Sequence, residues 1–340
     1  MKHILGVDIA KDKFDCCLLV GEQTFTLQLP NHARGFARLL RWVAGCGAER
    51  AGLHVCLEAT GTYGDKLAGF LFARDVAVSQ VNPAQIKYFA KSRLARNKTD
   101  RVDAFIIAKF CAAQAPRLWS PPAPELLRLR GLNRLLVARK ASLASERRRV
   151  AMVPTFLGKH TRAMLRSLES QCAALQTEID ALVAACAELK QKHALLCSIP
   201  CVGRVTAQTV LAELPPQIAT AREAAAYAGL TPQRHQSGER EGRARLSKTG
   251  NPHLRYALYM PAVSGRTSNG RLKACAERLK QKDLATKAVI GACMHLLLRL
   301  CFGVLASGQP YQEDWPGKAA AKHLADADAA VKAEPAPNGG

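Results

Sequence analysis

Residues 4–29 read ILGVDIAKDKFDCCLLVGEQTFTLQL, and this stretch decides the fold. Its β-type runs at 4–7, 16–20 and 24–29 are short, and the polar turn 10–13 joins the first two. Such runs predict a three-strand antiparallel meander. Working outward, Asn31 is placed to cap a helix whose apolar positions are Phe36, Leu39, Leu40 and Val43. A buried strand follows at 53–57 and ends on Glu58-Ala59-Thr60-Gly61. A helix over 63–74 and a strand over 76–81, stopped by Asn82-Pro83, come next. Two helical stretches close the pattern, the second from near Thr99. A meander followed by alternating strands and helices predicts an α/β domain over 1–115.

The next region changes character. Leu168, Cys172, Leu175, Ile179, Leu182, Cys186 and Leu189 alternate steps of four and three, a repeat that predicts a coiled coil. Residues 125–150 are also helical, with Leu126, Leu129, Leu132, Leu136 and Leu143 as apolar positions, and Pro154 and Gly158 break the chain between the two. An antiparallel helical hairpin over 116–192 is expected, with apolar surface left over to pack on a second subunit. A mostly α-helical module with glycine punctuation is expected over 193–312. The Ala-, Lys-, Asp- and Pro-rich residues 313–340 lack the apolar content to fold and are expected to be disordered.

With 340 residues and 48% hydrophobic side chains, the chain has material for two cores. Its 49 Lys and Arg against 27 Asp and Glu leave a net charge of +22, which points to a polyanionic partner. The excess is concentrated. Residues 85–150 hold 16 basic and 4 acidic side chains, and residues 234–289 hold 13 and 4. An excess of this size on one helical stretch exceeds what solubility requires and predicts salt-dependent nucleic-acid contact. Lys98 and Arg101 lie in the first block.

The N-terminus has no signal-peptide pattern, and the apolar run 292–305 is interrupted by His295 and Arg299 and falls short of a membrane span. A cytoplasmic, nucleoid-associated protein with no membrane partner is expected. The 12 cysteines contain no C-x-x-C pair, and most sit in apolar periodic segments, so they read as buried small hydrophobes rather than zinc ligands.

Four carboxylates stand out. Asp8 ends the first strand, Glu58 ends the fourth, and Asp100 and Asp103 lie three apart at the start of a helix, on one face. If strands one and four are neighbours, the four acids converge, and a cluster of that charge requires divalent cations. Two Mg²⁺ ions held this way can grip the attacking and leaving oxygens of a phosphodiester. Taken alone, Asp100 and Asp103 also fit a helix N-terminus behind a Thr99 cap, and Asp12 or Asp15 could replace Asp8.

Two serines compete as nucleophile. Ser237, in His-Gln-Ser-Gly, lies in a polar loop expected to be flexible. Ser247, in Leu-Ser-Lys-Thr-Gly-Asn, precedes a helix and reads as a cap or a phosphate contact. A serine hydroxyl needs activation, which a neighbouring divalent metal supplies. Arg243, Arg245, Lys248 and Arg255 flank Ser237 as candidate phosphate contacts, with solvated surface charge as the plain alternative. The stretch 198–210, SIPCVGRVTAQTV, reads as a helix-hairpin-helix or as a packing turn.

Six stretches together resemble the Asp-Glu-Asp-Asp transposases of the insertion-sequence one-ten family. They are GVDIAKDKFD (6–15), CLEATGTYG (56–64), NKTDRVDAFIIAKF (97–110), SIPCVGRVTAQTVLAELP (198–215), AAAYAGLTPQRHQSGEREG (224–242) and RLSKTGNPHLRYALYMPA (245–262). The resemblance spans residues 1–312. It implies an RNase H-like, RuvC-like N-terminal domain with Asp8, Glu58, Asp100 and Asp103 as ligands of Mg²⁺. It implies a C-terminal transposase domain with Ser237 as nucleophile. It further implies donor and target DNA as substrates, a structured guide RNA encoded by the element, and a homo-oligomer, dimer or tetramer. In such an assembly the serine of one subunit completes the carboxylate site of another. Cys201 departs from the pattern, standing where many members have glycine. A metal-dependent junction nuclease without serine chemistry, and a nucleic-acid-binding protein without catalysis, are the alternative readings.

Overall fold

The computed structural model describes residues 3–59, 63–92, 100–233, 236–237, 240–241 and 245–313. Lys98, Thr99, Thr60, Gly61, Arg243 and the tail from residue 314 lie outside the described residues. The chain divides into two compact units, Met1–Pro121 and Pro122–Gly340.

The first unit is a five-stranded mixed sheet. Strands β1 (His3–Ile9), β2 (Lys13–Val20) and β3 (Gln23–Pro30) form an antiparallel meander. Helix α1 (Ala33–Gly45) leads to β4 (Leu53–Glu58), and α2 (Asp65–Phe72) leads to β5 (Ala77–Val81). Helices α3 (Pro83–Ser92) and α4 (Asp100–Gln114) complete the unit. The order is β3-β2-β1-β4-β5, with β4 parallel to both β1 and β5. This is the RNase H-like arrangement.

Both sheet faces are covered, so the central strands are apolar on both sides. Leu5, Val7, Phe14, Leu18, Val55 and Leu57 pack with Leu39 of α1 and Leu67 and Leu71 of α2. Each fully buried leucine here contributes roughly 1.5–3 kcal/mol. Ala104, Ile107, Ala108 and Cys111 of α4 cover the other face, over Cys17, Leu19 and Cys56. Gly6 permits this approach. A Cβ there would lie 2.3 Å from the Ala104 carbonyl oxygen and 2.4 Å from the Ala108 nitrogen.

The cap of α1 differs from expectation. His32 is the N-cap, its ring nitrogen accepting from Gly35 N, 3.4 Å away. Asn31 instead donates its side-chain amide to the carbonyls of Ala10 (2.9 Å), Lys11 (3.4 Å) and Tyr63 (3.2 Å). It ties the β1–β2 turn to the segment after β4.

The second unit opens with α5 (Pro124–Val150) and α6 (Gly158–Ala185), which pack on each other along the hairpin. Helix α7 (Ala187–Cys197) comes directly after. The seven-residue repeat expected through Leu189 is interrupted at Cys186, which has extended backbone (φ −101°, ψ 111°) and so ends α6. The buried positions of α6 are Leu168, Cys172, Ile179 and Val183, so burial passes from the expected Leu182 to its neighbour.

The hairpin shares its core with the C-terminal helices. These are α8 (Arg204–Glu213), α9 (Ala221–Tyr227), α10 (Pro252–Ser268), α11 (Gly270–Lys280) and α12 (Thr286–Ser307). Between α9 and α10 lie four short strands, β6 (Pro232–Gln233), β7 (Gln236–Ser237), β8 (Arg240–Glu241) and β9 (Arg245–Leu246). Leu129, Leu136, Ile179, Leu196, Val210, Leu258, Leu297 and Cys301 belong to one apolar cluster.

Helix α12 corrects another expectation. It is 22 residues long, and by length and composition it is apolar enough to cross a membrane. Nine of its residues are buried in the second unit's core, from Val289 to Val304, which accounts for the apolar run.

The turn between α7 and α8 holds Cys201 at φ +79°, a left-handed conformation that favours glycine. Its side chain packs against the surrounding core. Cys201→Val would place a β-branched side chain at that φ. It is expected to cost about 1–3 kcal/mol, read as a lower urea midpoint. Cys201→Gly exchanges lost packing for relieved strain and should stay within about 1 kcal/mol of wild type.

Candidate active site

The sheet register fixes two of the four candidate acids. In the parallel β1–β4 pair, Val7 stands opposite Leu57, so the next residues, Asp8 and Glu58, lie side by side in sequence register. Glu58 ends β4, and Asp8 is one residue before the end of β1. Alternation along β1 puts Asp8 on the same face as Gly6, which is the face α4 covers. Both side chains are half-buried.

Helix α4 runs antiparallel to these strands. Near its C-terminal end, Cys111 Sγ lies 3.5 Å from Nδ1 of His54, early in β4. One to two turns earlier, Ala108 and Ala104 meet Gly6. The first turn of α4, with Asp100 and Asp103, therefore points toward the strand ends that carry Asp8 and Glu58. Asp103 is one turn before the buried Ile107; Asp100, known here by its backbone, is one turn before the buried Ala104. Among the described residues, no three His, Cys, Asp or Glu side chains close up into a metal-holding group. The donor chemistry at this edge is carboxylate oxygen, which suits a hard divalent cation such as Mg²⁺.

A fifth acid was less visible in the sequence. Asp15 stands directly opposite Asp8 in the β1–β2 ladder and is buried. Both of its carboxylate oxygens accept from Gln28 Nε2, each at 3.1 Å, and Lys13 Nζ is 3.8 Å away. Gln28, its cross-strand partner on β3, gave no sequence signal.

A polar group holds the far end of α4. His54 Nε2 is 2.8 Å from Ser79 Oγ, and that hydroxyl is 2.9 Å from the carbonyls of both Pro116 and Arg117. Beside it, a hydrogen bond from the Cys56 thiol outweighs burial, and with His54 pulls the Cys111 thiol below its ordinary value. These contacts lock α4 in height against β4, His54 standing four residues before Glu58.

In the second unit, Ser237 occupies a short ribbon rather than the expected loop. It pairs with Arg240, as Gln236 does with Glu241, so Ser237 is the last residue of β7. At the ribbon base, Pro232 and Gln233 pair with Leu246 and Arg245. Arg245 and Lys248 are exposed, and Lys248 has φ +53°. Arg255, a candidate phosphate contact, donates Nη1 to the carbonyls of Ala228 (2.9 Å) and Gly250 (3.1 Å), and that nitrogen braces the turn. Ser247 does not cap α10. Asn251 does, its Oδ1 accepting from His253 N (2.8 Å) and Leu254 N (3.2 Å), because a side-chain oxygen directly before the first turn reaches those amides.

Asn251 also donates to Glu213, at 2.8 Å. Glu213 is fully buried at the end of α8, and Arg134 of α5 grips it with two bonds of 2.6 and 2.8 Å. Burial pulls the Glu213 carboxyl up, but the bonds from Arg134 and Asn251 and the nearby positive charge outweigh it and hold the carboxyl below its ordinary value. A depressed folded pKa stabilises above the unfolded pKa of about 4.5 and loses that contribution as pH falls through the folded value. Arg134→Ala would leave a buried carboxylate short of its partner and should cost about 3–5 kcal/mol at pH 7. Glu213→Gln should cost less, because Arg134 is 42% exposed and returns to water. Urea melts at pH 7 and pH 4 check both, with the Arg134→Ala deficit shrinking at the lower pH.

The comparisons with known proteins agree along the chain. A sequence model of the DEDD IS110 type, described as "Transposase", matches residues 5–153. A second, described as "Transposase IS116/IS110/IS902 family", matches residues 193–277. The "Pilin gene-inverting protein" of Moraxella bovis is 32% identical over 318 residues, covering 92% of this chain and 98% of that protein. The "Transposase for insertion sequence element IS1111A" of Coxiella burnetii is 25% identical over 320 residues, covering 84% and 82%. Among solved structures, Thermus thermophilus RuvC bound to a Holliday junction covers 35% of this chain at 11% identity, with a TM-score of 0.27.

Proposed function

This chain belongs to the IS110 family of transposases, DNA-rearranging enzymes, and we propose that it cuts and rejoins DNA through Ser237 and a four-carboxylate edge. In the proposed step the Ser237 Oγ forms a bond to a backbone phosphorus. The bond from that phosphorus to one deoxyribose oxygen breaks, the serine proton is given up, and the departing oxygen takes a proton. Rejoining reverses these exchanges. The reading is supported above all by the β1–β4 register, which aligns Asp8 with Glu58 at one strand end, toward which the first turn of α4 points.

Asp8, Glu58, Asp100 and Asp103 would hold two Mg²⁺ ions. When bound, these would offset the charge that builds on the attacked phosphate. The chain's own residues set the rest. Gly6 lets α4 lie close, and the His54–Ser79 group fixes its height. Asp15 is already engaged by the Lys13 ammonium and the Gln28 amide.

The basic stretches, among them Lys98, Arg101, Arg243, Arg245 and Lys248, hold the backbones of donor and target DNA. A structured guide RNA encoded by the element supplies target choice. Copies pair through the α5–α6 arm as a dimer or tetramer in the bacterial cytoplasm, at the nucleoid, and the serine of one copy completes the carboxylate edge of another.

The test is covalent trapping. Labelled element-end DNA incubated with the protein and Mg²⁺ is run on a denaturing gel. The expected result is a protein–DNA band that vanishes in Ser237→Ala and persists in Ser247→Ala. Free cleaved ends without any adduct would overturn the serine step and favour a junction nuclease.

A further inference from the structure

One face of α10 is not used by the proposed serine and carboxylate chemistry. The helix's inner side buries Leu254, Leu258, Ala262 and Gly265. Its outer side presents Tyr256, Tyr259 and Met260, which are 74%, 45% and 64% exposed. The spacing of three and four residues puts all three on one stripe of the helix. Two adjacent exposed tyrosines and a methionine are a costly surface to leave in water, and their flat rings fit a planar partner.

The charge around the stripe says what kind of partner. From Gly242 to Ala276 the sequence holds seven basic side chains and no Asp or Glu. Of these, Arg245 and Lys248 are exposed immediately before α10. A second copy meeting this surface with the same face would bring its own basic segment and be repelled. A nucleic-acid strand brings phosphates for the basic side chains and bases for the rings.

The stripe also begins at the base of the Ser237 ribbon. Strand β9 closes that ribbon, and the backbone N–H of Asn251, the cap of α10, donates to the Tyr227 carbonyl at 2.7 Å. The Tyr256 turn follows at once.

We propose that Tyr256, Tyr259 and Met260 form a stacking platform for unpaired bases of single-stranded DNA. The proposal rests on the recombinase reading, because strand exchange unpairs a duplex next to the cut. A duplex keeps its bases stacked on one another and offers the rings little.

The probe is a labelled oligothymidine of about 20 nucleotides, long enough to span one single-strand site. It is compared with a blunt duplex of equal length, by fluorescence anisotropy across several salt concentrations. Tyr256→Leu and Tyr259→Leu should each weaken oligothymidine binding about tenfold, and Tyr256→Phe should match wild type. The slope of log Kd against log salt should stay unchanged, since no phosphate contact is lost. Duplex binding should not move. All sites are exposed, so the melting temperature should hold. Unchanged oligothymidine binding in the Tyr256→Leu/Tyr259→Leu double variant would overturn the platform. So would a smaller particle on size-exclusion chromatography, which would make the stripe a contact between copies. Adduct trapping is read separately: tyrosine-dependent binding without any Ser237 adduct would remove the serine step and leave the platform standing.

Discussion

Glu58→Gln should lower Mg²⁺-dependent strand cleavage on the order of 10²–10³-fold while the protein stays folded. Glu58 is the last residue of a buried parallel strand and is itself half-exposed, so the amide fits the same space. What changes is charge. In the proposed site the carboxylate edge would need its full negative charge to hold divalent cations, and a glutamine oxygen is a much weaker ligand. The sign of the stability change separates this from a folding defect. If the four acids converge as proposed, they repel one another without cations, so removing one charge should leave the melting temperature in EDTA unchanged or raised. Added Mg²⁺ should raise the melting temperature of wild type more than that of the variant. A variant that melts early in EDTA, or cleaves at the wild-type rate, would remove Glu58 from the chemistry.

Gly6→Ala should damage both the fold and the reaction. The new methyl group would lie 2.3 Å from the Ala104 oxygen, 2.4 Å from the Ala108 nitrogen and 2.9 Å from the Ala108 Cα. All three are backbone atoms, so no rotamer change relieves the clash, and α4 must move off the sheet. Overpacking of this kind costs about 1–3 kcal/mol, a fall of roughly 5–10 °C in the melting temperature of the first unit. The helix that moves carries Asp100 and Asp103, so cleavage should fall about 10²-fold even where the protein remains folded. Gly69→Ala in α2 is the control. Nothing lies within 4 Å of its added Cβ, and alanine is the better helix former, so that variant should be slightly more stable and fully active. Calorimetry with a cleavage assay on both variants reads the contrast.

The meander, the parallel pair and most helices were legible because their apolar periods differ: near two for strands, near 3.6 for helices. Glu58 was legible as a strand end, and Asp8 falls one residue short of the end of β1. What could not be read was tertiary. Local preference favours Asn31 over His32 as a cap; the choice falls to His32 because Asn31 is drawn to the Ala10 and Tyr63 carbonyls. Glu213 looks like any acid near a helix end, and only the approach of Arg134, far along the chain, turns it into a buried hub. The repeat in α6 promised a longer helix than forms, because extended backbone at Cys186 redirects the chain. The apolar run 292–305 reads as broken at His295 and Arg299, whereas α12 runs through both positions and buries nine other residues.

That Leu129, Leu136, Ile179 and Val183 share a single interior with Val210 and Leu298 bears on how damaged gene copies behave. A frameshift after residue 192 would strip the long arm of the helices that shield it. Its leucines would face water, and the fragment would be cleared by proteases rather than accumulate. Broken copies of such a gene would therefore fall silent instead of poisoning assemblies built by an intact neighbour.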